Sequence, residues 1–158
     1  MFNQKESGLL QDLKKAEELC IEKYTKYTGE ASNPQLQSLL NQINQQEQQH
    51  LQTINQILSG STPSTNSGQQ QSGQQQSQNN QQTQKVDSYA PDSTAYKYDS
   101  FICSDLLSTE KHISSSYNTS IFEFKDATVR NALNHIQKEE QEHGQKLYNY
   151  MASNGMYN

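Results

Sequence analysis

Apolar residues recur along two stretches of the chain at alternating steps of three and four, the spacing of one face of an α-helix. Residues 7–28 place Leu10, Leu13, Cys20, Tyr24 and Tyr27 on such a stripe, and residues 34–58 place Leu36, Leu40, Ile43, Ile54 and Ile57. Residues 99–122 give Cys103, Leu106, Ile113 and Tyr117, and residues 127–153 give Val129, Leu133, Ile136, Leu147 and Tyr150. The breaks carry boundary residues. Gly29 suits a helix C-terminus, Asn33 an N-cap and Pro34 a first helical position. The second break falls at residues 122–125, with Asp126 as the next N-cap. Four amphipathic helices that must cover one another's stripes predict an all-α, four-helix bundle.

Between the second and third helices runs a tract rich in Gln, Ser, Asn and Gly with almost nothing apolar. Such a segment buries too little surface to offset the entropy of ordering it, which predicts a long disordered crossover. The chain therefore divides into a helical hairpin at 1–59, a connector at 60–97 and a second hairpin at 98–158, the two hairpins forming one domain. The hairpins repeat one another. A gapless shift of 93 residues (105 − 12) pairs Asp12 with Asp105, Leu13 with Leu106, Glu17 with Glu110 and Tyr24 with Tyr117. It also pairs Leu40 with Leu133, Ile43 with Ile136, Glu47 with Glu140 and His50 with His143. One hairpin has been used twice.

The stripes are interrupted at informative places. Glu17 falls between Leu13 and Cys20, and Glu110 between Leu106 and Ile113. Glu47 and His50 fall between Ile43 and Ile54, and Glu140 and His143 between Ile136 and Leu147. Four carboxylates and two imidazoles thus face the expected core, with no Lys or Arg on the stripes to pair with them. Charged groups are seldom buried unless paired or metal-bound, and unpaired carboxylates sharing a core repel one another. Two divalent cations would neutralise them. A Glu from each of two helices plus Glu-x-x-His from each of the other two is the ligand set of dimetal carboxylate bundles, because residues three apart share a helix face. His112 and His135 lack a Glu three residues earlier and stay outside the set. The alternative is the same six residues held as a metal-free polar core. Glu18, Glu139 and Glu142 fall off the stripes and are expected in solvent. Tyr24 and Tyr117, seven residues after Glu17 and Glu110, either pack in the core or donate to a ligating carboxylate. Cys20 and Cys103 are expected as buried thiols.

Composition narrows the function. The 158 residues carry a net charge of −5, with 12 Lys and Arg against 17 acids, and Arg130 is the only arginine. A phosphate-binding face is therefore not expected, and nucleic acid is excluded as a partner. No apolar run approaches the ~20 residues of a membrane span, and no secretory signal is expected at MFNQKESGLL.

The ligand pattern, with its Glu-to-Tyr spacing of seven, resembles the ferritin-like superfamily, which includes rubrerythrin and manganese catalase. More narrowly, LCIEKYTKYTGEASNPQLQSLL, EQQHLQTINQIL and the segment from DLLSTEKHISSSY to the terminal NGMY resemble the Coat F family of spore coat proteins from endospore-forming bacteria. That resemblance implies a ferritin-like bundle, synthesis in the mother-cell cytoplasm, residence in the spore coat and other coat proteins as partners. Two readings of function follow. One is a structural coat protein whose core holds two divalent transition-metal ions, iron or manganese, through Glu17, Glu47, His50, Glu110, Glu140 and His143. The other is a catalase- or rubrerythrin-like dimetal oxidoreductase acting on peroxide. Both leave open whether one chain closes its own bundle or two chains form a homodimer by exchanging hairpins.

Overall fold

The structure, a computed structural model, describes residues 1–61, 63, 89–90 and 92–157. Most of the expected disordered crossover lies outside the described residues. Four α-helices are present: α1 (Gln4–Glu30), α2 (Pro34–Leu58), α3 (Thr94–Ile121) and α4 (Ala127–Ser153), with no strand among the described residues.

The helix ends follow their capping chemistry. Asn33 accepts from the Gln35 N–H ahead of Pro34, and Asp126 accepts from the Thr128 and Val129 N–H groups. Three boundaries differ from the sequence reading. α1 starts at Gln4 rather than 7, because Asn3 and Glu6 form a reciprocal capping box. It also runs through Gly29 to Glu30 and stops at Ala31, whose backbone is extended. Gly29 is therefore not the cap; among the described glycines only Gly60 (φ 77°) and Gly155 (φ 68°) are left-handed. α3 starts at Thr94 rather than 99, with the Ser93 hydroxyl capping the Tyr96 N–H. Its first turn is tied to the C-terminal end of the chain, where the Tyr96 hydroxyl donates to the Asn154 and Gly155 carbonyls.

α1 packs along α2 and α3 along α4, each pair an antiparallel hairpin, while α1 also meets α3 and α2 meets α4. α1 and α3 are antiparallel: Lys5 pairs with Glu123 at one end (2.6 Å), and Glu30 accepts from Tyr98 at the other. α2 therefore runs parallel to α3, so the connection from Leu58 to Thr94 joins opposite poles of a bundle about 38 Å long at 1.5 Å per residue. The apolar stripes meet on the axis. Leu10, Leu36, Leu40, Ile43, Ile54, Leu106, Leu133 and Leu147 are almost wholly buried, while Tyr27 and Tyr150 are partly buried.

Two buried acids fasten the hairpin loops. Asp99, fully buried at the first turns of α3, accepts from the Ser32 N–H (2.9 Å), the Asn33 N–H (3.0 Å) and the Tyr89 hydroxyl. Glu6 stands 93 residues earlier and accepts from the Lys125 N–H (3.1 Å) in the other loop. Backbone N–H donors at Asn3 and Lys125 hold the Glu6 carboxyl below its usual range. Each acid thus ties its own helix to the turn of the opposite hairpin.

Asp99→Ala should lower unfolding stability in urea by about 2–3 kcal/mol, because it strands backbone donors that water reaches poorly. Asp12→Ala, at an exposed site, should stay within about 0.5 kcal/mol of wild type.

Candidate metal centre

Glu17 and Glu110 reach the bundle axis from α1 and α3, while Glu47 with His50 and Glu140 with His143 reach it from α2 and α4. All six are at most 2% exposed, so the structure brings together every residue singled out from the stripes. They form two overlapping quartets, Glu17–Glu47–His50–Glu140 and Glu47–Glu110–Glu140–His143. Within each quartet one donor atom per residue lies within 4.8 Å of every other. Glu47 and Glu140 belong to both quartets, the place of bridging carboxylates. The His50 and His143 rings stack at 5.5 Å between centroids.

Each imidazole turns Nδ1 inward and Nε2 outward. His50 Nδ1 lies 3.2 Å from Glu47 Oε2 and 3.1 Å from Glu140 Oε1, and His143 Nδ1 lies 2.9 Å from Glu47 Oε1. The outward nitrogens meet unequal partners. His50 Nε2 is 2.8 Å from the Glu139 carboxylate, whereas His143 Nε2 is 3.0 Å from the Gln46 side-chain carbonyl. Glu139 is thus half-buried against a histidine, not solvated as its off-stripe position suggested. Its signal in the sequence is adjacency: the residue preceding each Glu-x-x-His is Gln46 in one hairpin and Glu139 in the other, 93 positions apart. His135 stays exposed, 3.5 Å from Glu139.

Tyr24 and Tyr117 do more than pack. The Tyr24 hydroxyl donates to Glu110, and the Tyr117 hydroxyl donates to Glu17. The bonds cross between α1 and α3, so each tyrosine fixes the carboxylate of the opposite hairpin and leaves its second oxygen pointing inward. Burial, then the neighbouring carboxylates, pushes both phenols up and keeps them neutral donors. The same two causes push up the Cys20 thiol, and burial beside Asp99 pushes Cys103 up to about 12. Both are inert thiols rather than nucleophiles.

The protonation states divide the cluster. Burial, reinforced by the Glu140 and Glu47 charges, pushes Glu17 well above the carboxylate range, and burial with Glu47 does the same to Glu110. Against the cost of burial, hydrogen bonds from His143 and His50 hold Glu47 and Glu140 below that range. Against the same cost, bonds to Glu139, Glu140 and Glu47 push His50 up to about 12, and bonds to Glu140 and Glu47 raise His143. Two neutral acids, two carboxylates and two imidazoliums sum to no net charge. Three buried oxygens, Glu17 Oε2, Glu110 Oε2 and Glu140 Oε2, nevertheless have no hydrogen-bond partner. A proton on Glu110 bonds it to Glu140 and meets part of this demand, whereas a cation between the carboxylates would ligate all three oxygens and balance the charge. The donor set, carboxylate oxygens with one imidazole per quartet, suits iron, manganese or zinc.

Fold and cluster together define a four-helix bundle with a carboxylate–histidine core. Residues 98–158 match the family model described as the Coat F domain. The matched segment covers nearly all of α3 and all of α4, with Glu110, Glu140 and His143, while Glu17, Glu47 and His50 lie outside it. No curated protein and no solved structure matches the chain.

The cluster sets a pH dependence for the metal-free protein. Glu17, Glu110, His50 and His143 have raised folded pKa values, so their contribution is complete below the unfolded values, near 4.5 and 6.5, and fades as pH rises. Glu47 and Glu140 have lowered values, so theirs is complete above 4.5 and is lost as pH falls through the folded values. Urea unfolding of chelator-treated protein should show greatest stability near pH 4.5, a decline above it as Glu17 and Glu110 remain protonated only in the folded state, and a steeper decline above pH 6.5 where the two histidines add theirs. In the His50→Gln/His143→Gln variant the decline above pH 6.5 should shrink.

Proposed function

We propose that the chain is a structural protein of the bacterial spore coat, made in the mother-cell cytoplasm, whose ferritin-like bundle binds two divalent transition-metal ions, iron or manganese. The coat assignment is supported by the Coat F match over residues 98–158. It is also supported by a surface that offers Tyr98, Tyr148 and Tyr157 to neighbours such as other coat proteins. No helix among the described residues is long and apolar enough to cross a membrane. The metal assignment rests on the two overlapping quartets and their three unpartnered carboxylate oxygens.

In this reading Glu17 and His50 would hold one ion, Glu110 and His143 the other, and Glu47 and Glu140, which belong to both quartets, would contribute to each. Two bound ions would supply Lewis acidity and, for iron or manganese, redox chemistry at a water-excluded site. The chain's own residues prepare it. Tyr24 and Tyr117 aim the terminal carboxylates, and Glu139 and Gln46 fix the outer nitrogens of the histidines so that Nδ1 faces inward. The second reading, a peroxide-consuming oxidoreductase, is favoured by a groove between α3 and α4 whose lining includes Glu110 and Glu140.

Calorimetric titration of metal-free protein with manganese(II), repeated in buffers of different ionisation enthalpy, should give two ions per chain and about two protons released per ion. His50→Ala/His143→Ala should abolish that binding; full stoichiometry in this variant would refute the ligand assignment. Glu139→Gln should weaken the His50 site by about 10–100-fold while leaving the His143 site nearly unchanged. In spores, deletion of the gene should alter coat assembly, while Glu47→Ala/Glu140→Ala should not. Equal loss of peroxide resistance in both strains, with normal coats, would favour the oxidoreductase.

A further inference from the structure

Between α3 and α4 a groove of about 340 Å³ is lined by Leu107 and Gln141 together with Glu110 and Glu140. Oε2 of each glutamate is buried behind this lining without a hydrogen-bond partner. Gly144 forms its third side. This glycine lies inside α4 and does not have a left-handed backbone, so no turn requires it, and glycine weakens a helix interior relative to alanine. Its use is space: a Cβ there would stand 3.7 Å from Leu107 Cδ1, in van der Waals contact, and longer side chains would fill more of the groove. In the other hairpin the positions 93 residues earlier are Leu51 and Lys14, two long side chains in place of Gly144 and Leu107.

Resting on the metal reading above, we propose that the α3–α4 groove is the entrance through which divalent cations reach the core, and that Gly144 holds it open. The chemistry of its floor selects the traveller. The Glu140 carboxylate repels anions and attracts cations, and Glu110 and Glu140 would give an arriving ion its first oxygen ligands. Lys111, exposed on a flexible stem, also borders the groove and opposes the approach of a cation.

The test is stopped-flow uptake of cobalt(II), followed by its ligand-field absorption, into the metal-free full-length chain, together with release to excess chelator. Gly144→Leu, which copies Leu51, should slow uptake and release alike by about tenfold, equivalent to about 1.4 kcal/mol of added barrier, with two ions still bound at equilibrium. Gly144→Ala, whose methyl group makes only ordinary contact with Leu107, should fold as wild type and slow both rates to a lesser degree. Lys111→Gln should accelerate uptake, and Leu51→Ala, at the equivalent position of the other hairpin, should leave it unchanged. Wild-type rates in both Gly144 variants at full stoichiometry would overturn the entrance and leave the metal reading intact. Absence of cobalt binding by the wild-type chain would overturn both.

Discussion

Four carboxylates and two imidazoles share one buried cross-section of the bundle, and a core of low polarity tolerates them only if their charges nearly cancel. Protons achieve this in the metal-free chain. Glu17 and Glu110 stay neutral, and Glu47 and Glu140 face two imidazoliums. Two divalent cations would achieve it by replacing four protons, leaving four carboxylates against four positive charges. The same geometry serves both states, because Nδ1 of each histidine points where an ion would sit. They differ at Glu17 Oε2, Glu110 Oε2 and Glu140 Oε2, which cations would ligate together and of which protons join only Glu110 to Glu140.

Much of this was legible because helical periodicity is rigid. A Glu in the place of a Leu every seventh or so position must point at the axis, and residues three apart must point together, so the six core groups and most of their apolar neighbours follow from spacing alone. What spacing does not encode is contact between helices. Tyr24 sits two turns from Glu17 on its own helix but bonds to Glu110 on another, a pairing set by the antiparallel register of α1 and α3. Glu139 sits one position off the stripe, where a long side chain still reaches sideways to His50. Gly29 resembled a terminator, but Ala31 stops α1 because the chain must extend toward Asn33 and Pro34. The start of α3 was hidden in a Ser- and Tyr-rich run whose helical state depends on Tyr96 reaching the far end of the chain.

The repeat is informative where it is kept and where it is broken. Glu6 and Asp99 each fasten the opposite loop, and Asn33 and Asp126 each cap the second helix of a hairpin, so the two halves solve the same local problems with related residues. The breaks fall beside the cluster. Gln46 against Glu139 makes the outer partners of the two histidines unequal in charge, and Leu51 against Gly144 sets a long side chain in one hairpin against none in the other. A core needed only for packing does not require either asymmetry.

The central claim is that the cluster is a dimetal centre rather than a proton-balanced polar core, and elemental analysis of the full-length protein, purified without chelator from cells grown with iron and manganese, tests it most directly. About two equivalents of iron, manganese or both per chain, lost in the His50→Ala/His143→Ala variant, is the expected result. Protein that emerges folded and metal-free, and stays so after incubation with excess of either ion, would contradict it.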